Sequence, residues 1–355
     1  MPLVAHNHLP SFDRLEKEGI KVLTPLTAQH QDIRELHIGL LNMMPDAALA
    51  ATERQFFRLI GESNPIAQFY VHPFTLDEIP RSEKAKEYIK QYYESFENIK
   101  DMGLDALIVT GANVSGPDLS NQAFWQPLIE VFDWAWENVT STLCSCLATH
   151  AVMEFRYQQK RIPQTNKTWG VFPHHVVDNS HPLINDTNTR FDVPHSRWNT
   201  VLRQQFEDSK LKVLVTSDSD MVHLATSPDG FRNIFFQGHP EYDTISLLKE
   251  YKREMLLFQN KQINLPPPFP VNYLGTFDKA ILNEYRFRCE QCLKNNSTSF
   301  PEFPESLIQS NLDNTWHDTA VEVVGNWMGL IYQITHNNRH LPFMDGIDPD
   351  NPLNL

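Results

Sequence analysis

The feature that most constrains this chain is an alternation of short apolar runs with amphipathic stretches between about residues 35 and 245. An apolar run followed by a helical period cannot pair with the next run through a tight turn. It must cross back over a sheet face, which yields βαβ units and parallel strands. Residues 36–42 read as a buried strand ended by Pro45, and residues 47–60 as a helix with Leu49, Phe56, Phe57 and Ile60 on one face. A strand over 66–71 and a charged, solvent-facing helix over 84–99 follow. The clearest strand, 105–111, runs into a loop rich in Asn, Ser, Gly and Pro. Trp125, Leu128, Ile129, Phe132 and Trp136 recur at helical spacing, as a core-facing stripe does. A β-prone segment over 140–145 leads into a helix over 147–158, and strands are expected at 169–177, 213–217, 221–225 and 233–237, then a helix over 243–258. The fold class is α/β, a mostly parallel sheet with flanking helices.

Three regions follow: an N-terminal segment over 1–34, a catalytic domain over 35–260 and a C-terminal extension over 261–355. The proline run at 265–270 breaks regular structure, since proline lacks the N–H that a helix or strand needs. Residues 276–312, with Asn295, Asn296, Ser297 and Ser299 in a run, read as a polar insertion or mobile arm. Helical character returns over 316–335 with Trp316, Val324, Trp327, Ile331 and Ile334.

Composition narrows the partners. Lys and Arg number 30 against 44 Asp and Glu, a formal charge of −14, so neither nucleic acid nor an anionic membrane gains by releasing counter-ions onto this surface. No apolar run approaches the ~18–20 residues of a membrane span. The N-terminus lacks the basic and apolar regions of a signal peptide. Four cysteines are too few for a disulfide scaffold. A soluble cytoplasmic protein is the expectation.

Those cysteines fall in two close pairs, Cys144/Cys146 and Cys289/Cys292. A zinc site shared by both pairs is one reading, although C-x-C is a poor half-site, and no metal is expected. The other reading singles out Cys146. A strand ending at Ser145, then Cys146, then a helix from Leu147 is the layout of a nucleophile elbow. The helix N-terminus favours thiolate over a thiol that ordinarily titrates near ~8.5. The Leu147 amide would face an oxyanion formed on the attacked carbonyl. A partner comes later, where a strand ends in Gly238-His239-Pro240-Glu241: His239 can deprotonate Cys146, and Glu241 can orient the ring. His174, His175 and His195 are the competing histidines.

These residues carry a family resemblance. Leu41-Asn42-Met43-Met44-Pro45, Ala106-Leu107-Ile108-Val109-Thr110-Gly111-Ala112, Val139-Thr140-Ser141-Thr142-Leu143 before Cys146, Lys167-Thr168-Trp169-Gly170-Val171, Pro194-His195-Ser196-Arg197, Gly238-His239-Pro240-Glu241-Tyr242-Asp243, Arg253, Trp316, Asn326-Trp327 and Tyr332-Gln333-Ile334-Thr335 resemble the homoserine O-succinyltransferase family. The resemblance covers nearly the whole chain apart from 276–312. It implies a class I glutamine-amidotransferase-like (flavodoxin-like) fold and a ping-pong acyl transfer in methionine biosynthesis. In that scheme Cys146 takes the acyl group from an acyl-CoA, and His239, supported by Glu241, activates the hydroxyl of L-homoserine. Lys167, Ser196 and Arg253 match positions that contact substrate in the family, with no cofactor, no metal and a homodimer implied.

The acyl donor stays open between succinyl-CoA and acetyl-CoA. In the family, one loop position carries glycine in succinyl users and glutamate in acetyl users; here it is Ser115, small and neutral, which favours succinyl. Where the family usually has two lysines after Met-Pro, this chain has Asp46-Ala47, so a cationic contribution is missing or supplied elsewhere. The surroundings of Cys146, with His150 one helical turn on, also depart from better-known members, so L-serine is an alternative acceptor. Two rivals remain. One is a glutaminase or amidotransferase of the same fold, disfavoured because Ser145, Leu147 and Ala148 replace the usual glycines. The other is a metal-binding or redox-sensing protein built on the four cysteines.

Overall fold

The structure, a computed structural model, describes residues 3–31, 33–114, 116 and 118–355. Among these, eleven strands form one sheet: β1 (Leu3–Val4), β2 (Val22–Leu23), β3 (Glu35–Leu41), β4 (Gln68–Phe74), β5 (Ala106–Val109), β6 (Ser141–Ser145), β7 (Ile162–Val176), β8 (Arg190–Thr200), β9 (Lys212–Thr216), β10 (Val222–Thr226) and β11 (Asn233–Phe236). Their spatial order is β2-β1-β4-β3-β5-β6-β11-β10-β9-β7-β8. Every pairing from β2 across to β11 is parallel. The pairings from β11 out to β8 are antiparallel, so hairpins replace crossovers on that side.

Both faces of the parallel half are covered, as parallel sheets require. Alternate residues supply the two cores: Leu36, Ile38 and Leu40 of β3 join one cluster with Phe56, Phe57 and Trp327, whereas Leu107 and Val109 of β5 join another with Leu128, Phe132 and Val152. The helix Asp46–Ser63 buries Leu49, Phe56, Phe57 and Ile60, the stripe its spacing predicts. The helix His317–Ile334 lies on the same side. Buried Trp327 donates from Nε1 to Ser141 Oγ at 2.8 Å, fixing the C-terminal helix to β6.

Four departures from the sequence reading have physical causes. Residues 84–99 form two helices, Glu83–Tyr92 and Phe96–Met102, because Tyr93 turns inward to bond Asn42 and Glu53 and Ser95 caps the second helix. Residues 276–312 are not an irregular arm. They open with the 19-residue helix Thr276–Lys294, which buries Leu282, Tyr285 and Cys289 against Tyr251, Met255 and Phe303. That stripe, at spacings of three and four, is narrow enough to be hidden by the polar residues around it. The N-terminal segment adds β1 and β2 to the sheet edge. The motif around His195 lies within strand β8, which alternation alone did not reveal. Among the described residues no helix is long and apolar enough to cross a membrane.

Candidate active site

Parallel strands end at one edge, and the loops leaving β3, β5, β6 and β11 all meet there. Cys146, between β6 and the helix Leu147–Tyr157, holds φ 51° and ψ −104°, a region an L-residue occupies only under strain of about 1–3 kcal/mol. The surroundings enforce it. The Cys146 N–H donates to Phe236 O at 2.7 Å, and Thr149 Oγ1 donates to both Cys144 O and Phe236 O at 2.8 and 3.0 Å. The turn separates two thiols that a continuous strand would align. Cys144 is fully buried among apolar side chains, which pushes its thiol up, whereas Cys146 lines a cavity. Leu147 is the first helical residue, so its N–H has no intrahelical acceptor. The loop after β5 runs alongside, with a Cβ built on Gly111 only 3.6 Å from Cys146 Cβ and 3.9 Å from Leu147 N.

His239 follows β11 through Gly238, where only glycine fits: a Cβ there would lie 2.3 Å from Val193 Cγ1 and 2.9 Å from His195 Cε1. The ring is buried, donates from Nδ1 to Glu241 Oε1 at 2.8 Å, and stacks on Tyr242 with centroids 4.3 Å apart. Burial opposes its protonation, yet the Glu241 carboxylate and the hydrogen-bonded Cys146 sulfur outweigh burial, so the imidazole holds its proton well above the ordinary histidine range. Of the competing histidines, His175 pairs with Asp218 at 3.3 Å, and His174 and His195 are buried behind the site.

The cavity in front of Cys146 measures about 400 Å³ and brings Cys146, His239, Lys167, Ser196 and Arg253 together. Lys167 is not free: it lies 3.4 Å from Glu250, 3.1 Å from Glu254, and 4.1 Å over the Trp169 ring. Glu250 is the residue sequence reasoning missed. Its carboxylate accepts from Ser196 Oγ at 2.6 Å and from Tyr242 OH at 2.7 Å. Burial would raise it, but Lys167 and these two hydroxyls hold it below the usual range, so it is ionised. The one available signal was its place three residues before Arg253 on the helix Ser246–Gln259.

A smaller chamber of about 70 Å³ adjoins this cavity at Cys146 and Ser196, lined in part by Val114, His150, Arg161 and Arg197. His150 is buried there and lowered to about 3 by desolvation, so it is neutral. Ser115 lies outside the described residues. At the departure from the lysine pattern, Asp46 accepts from the Ser82 N–H at 2.8 Å and pairs with Arg81 at 3.4 Å, while Ala47 lines the main cavity. The cysteine pairs sit in different clusters, Cys144 under the sheet and Cys289 in the C-terminal region. Among the described residues no three His, Cys, Asp or Glu side chains converge as metal ligands.

The sequence profile of the homoserine O-succinyltransferase family matches residues 2–337. The homoserine O-succinyltransferase of Thiobacillus denitrificans is 62% identical over 357 residues, covering 100% of both chains. That of Allochromatium vinosum is 63% identical over 355 residues, covering 100% of this chain and 99% of its own. Among solved structures, a glutamine amidotransferase from Thermotoga maritima matches with a TM-score of 0.44 and 10% identity, over 84% of this chain and 98% of its own.

Proposed function

This chain belongs to the homoserine O-succinyltransferase family, and from that premise we propose that it moves a succinyl group from succinyl-CoA to the hydroxyl of L-homoserine through a thioester on Cys146, in methionine biosynthesis. The supporting observation is the strained Cys146 facing one cavity with His239, and Glu241 behind that ring. The Cys146 thiolate attacks the thioester carbonyl. The carbon–sulfur bond to coenzyme A breaks, and the departing thiolate takes the His239 proton. The Leu147 amide and the Gly111 loop are placed to steady the oxyanion.

Acylation then resets the base. Two of the influences holding the His239 proton are the charge and the hydrogen bond of Cys146, and both vanish once the sulfur carries an acyl group. The imidazole becomes easier to keep neutral just when it must accept the proton of the homoserine hydroxyl. Glu241 keeps the ring oriented, and the Cys146 thiolate leaves as the ester forms. Arg253 offers a planar fork to the homoserine carboxylate, and Ser196 and Lys167 border the same space. Atoms and charge balance without metal or organic cofactor. The reading extends to a cytoplasmic homodimer on the family resemblance alone.

Intact-protein mass spectrometry after mixing with succinyl-CoA or acetyl-CoA tests it. One succinyl group per wild-type chain, lost in Cys146→Ala and kept in Cys289→Ala and Cys292→Ala, is the expected result. An acetyl adduct alone overturns the donor, and ammonia release from glutamine without any acyl adduct overturns the reaction.

A further inference from the structure

Arg197, on β8, is buried and lines the 70 Å³ chamber beside Cys146. Its Nη1 donates to His195 Nδ1 and to the Gln237 carbonyl, both neutral acceptors. Its Nε and Nη2 have no partner. Those two N–H groups form the edge of the guanidinium that a carboxylate can take with both oxygens. A buried cation bonded only to neutral groups costs several kcal/mol unless a negative charge compensates it. The anion acting on it is the Cys146 sulfur, and acylation consumes that charge. An acetyl group would leave the arginine uncompensated, whereas a succinyl group brings its own carboxylate.

Arg161 joins it on the chamber wall, donating from Nη2 to the carbonyls of Val114 and Gly116. It thereby ties down the loop on both sides of position 115. The chamber offers little more than twice the ~30 Å³ share of a water molecule, which suits a short unbranched chain.

We propose that this chamber is the acyl subsite, in which Arg197 Nε and Nη2 bind the terminal carboxylate of the succinyl chain while Arg161 fixes the loop and adds a second positive charge. The assignment rests on the succinyl-transfer reading above. Because the chamber admits short chains of either kind, it selects by charge rather than by length.

The test compares succinyl-CoA with butyryl-CoA, a neutral donor of similar length, in single-turnover acylation of wild type and Arg197→Gln. The expected result is a fall of about 10- to 100-fold in the succinyl-to-butyryl rate ratio, with a smaller fall in the same direction for Arg161→Gln. The limiting rate at which iodoacetamide alkylates the Cys146 peptide at high pH, where the thiol is ionised in both proteins, should change little. Equal loss on both donors, or a parallel loss of alkylation, overturns the proposal by assigning Arg197 to the thiolate instead. Should the variant fail to fold, wild type still decides: free succinate should slow alkylation of Cys146 at concentrations where butyrate does not, and equal protection overturns the proposal. Absence of any acyl adduct on wild type counts against the transfer reaction, and the protection comparison still reads the subsite.

Discussion

Beneath Gly238 and the turn at Cys146 lie three buried histidines whose shared neutrality makes the fold acid-sensitive. His174 Nε2 is 3.3 Å from His195 Nε2, and the His223 ring is 5.7 and 6.2 Å from the His174 and His195 rings. Burial is the first cause that lowers His174 to about 4, and the nearby Arg197 and His175 add to it, against the Phe172 carbonyl and Asp192. His195 and His223 are also held well below the ordinary range, by burial and by their cationic neighbours. In the unfolded chain each returns to about 6.5. Below that pH the unfolded state binds protons the folded state refuses, so stability falls as pH drops from about 6.5 towards 4. For His174, with 4 and 6.5 as the two values, the loss between pH 7 and pH 5 is about 2 kcal/mol. The same sign holds for its two neighbours, less what mutual repulsion already prevents. His239 and the raised carboxyls of Glu53 and Asp105 act oppositely, so a variant comparison is needed to isolate the effect. Urea unfolding of wild type and His174→Asn at pH 7 and pH 5 supplies it. Wild type should lose about 2 kcal/mol more than the variant over that interval. Parallel losses would refute the argument that His174 is kept neutral by its burial.

Two further outcomes follow from the site geometry. Gly238→Ala forces a Cβ to 2.3 Å from Val193 Cγ1 and 2.8 Å from His223 Nδ1, so thermal unfolding should show a loss of roughly 3 kcal/mol or more, with acylation falling as His239 is displaced. Glu250→Gln removes the charge that receives Ser196, Tyr242 and Lys167, and should slow transfer to homoserine by about 10- to 100-fold while acyl-enzyme formation holds; equal losses in both half-reactions would argue against it.

The parallel half of the sheet was legible because burial on both faces writes near-continuous apolar runs, as in Ala106–Val109. Cys146 stood out because it sits between a β-prone segment and a helix, and His239 because Gly238-His239-Pro240-Glu241 follows the apolar end of β11. The antiparallel side was harder. β7 and β8 mix runs of exposed and buried residues over Ile162–Val176 and Arg190–Thr200 without regular alternation, and β7 carries two prolines and a bulge, so periodicity fades there. Glu250 and Arg161 could not be found from spacing. Glu250 is defined by Ser196 and Lys167, which lie 54 and 83 residues away, and Arg161 by a loop 45 to 47 residues away. Such pairings exist only once β7, β8 and the helix Ser246–Gln259 have met.

That assembly also changes what the net charge of −14 means. Lys167, Arg197 and Arg253 are cations that line the two cavities, but the fold does not leave them equivalent. Lys167 is held by Glu250 and Glu254, so it orders the cavity wall rather than adding net positive charge to it. Arg253 lines the larger cavity, and Arg197 lines the smaller chamber that adjoins it at Cys146. On the proposed reading the two substrate carboxylates are therefore sorted to different cations, homoserine towards Arg253 and the succinyl end towards Arg197. Like charges kept on separate cations do not compete for one site, and the reacting carbonyl is held between them with the Leu147 amide beside it. An acidic protein can thus hold two carboxylate-bearing substrates because its positive charge is local, one cation buried and the other exposed.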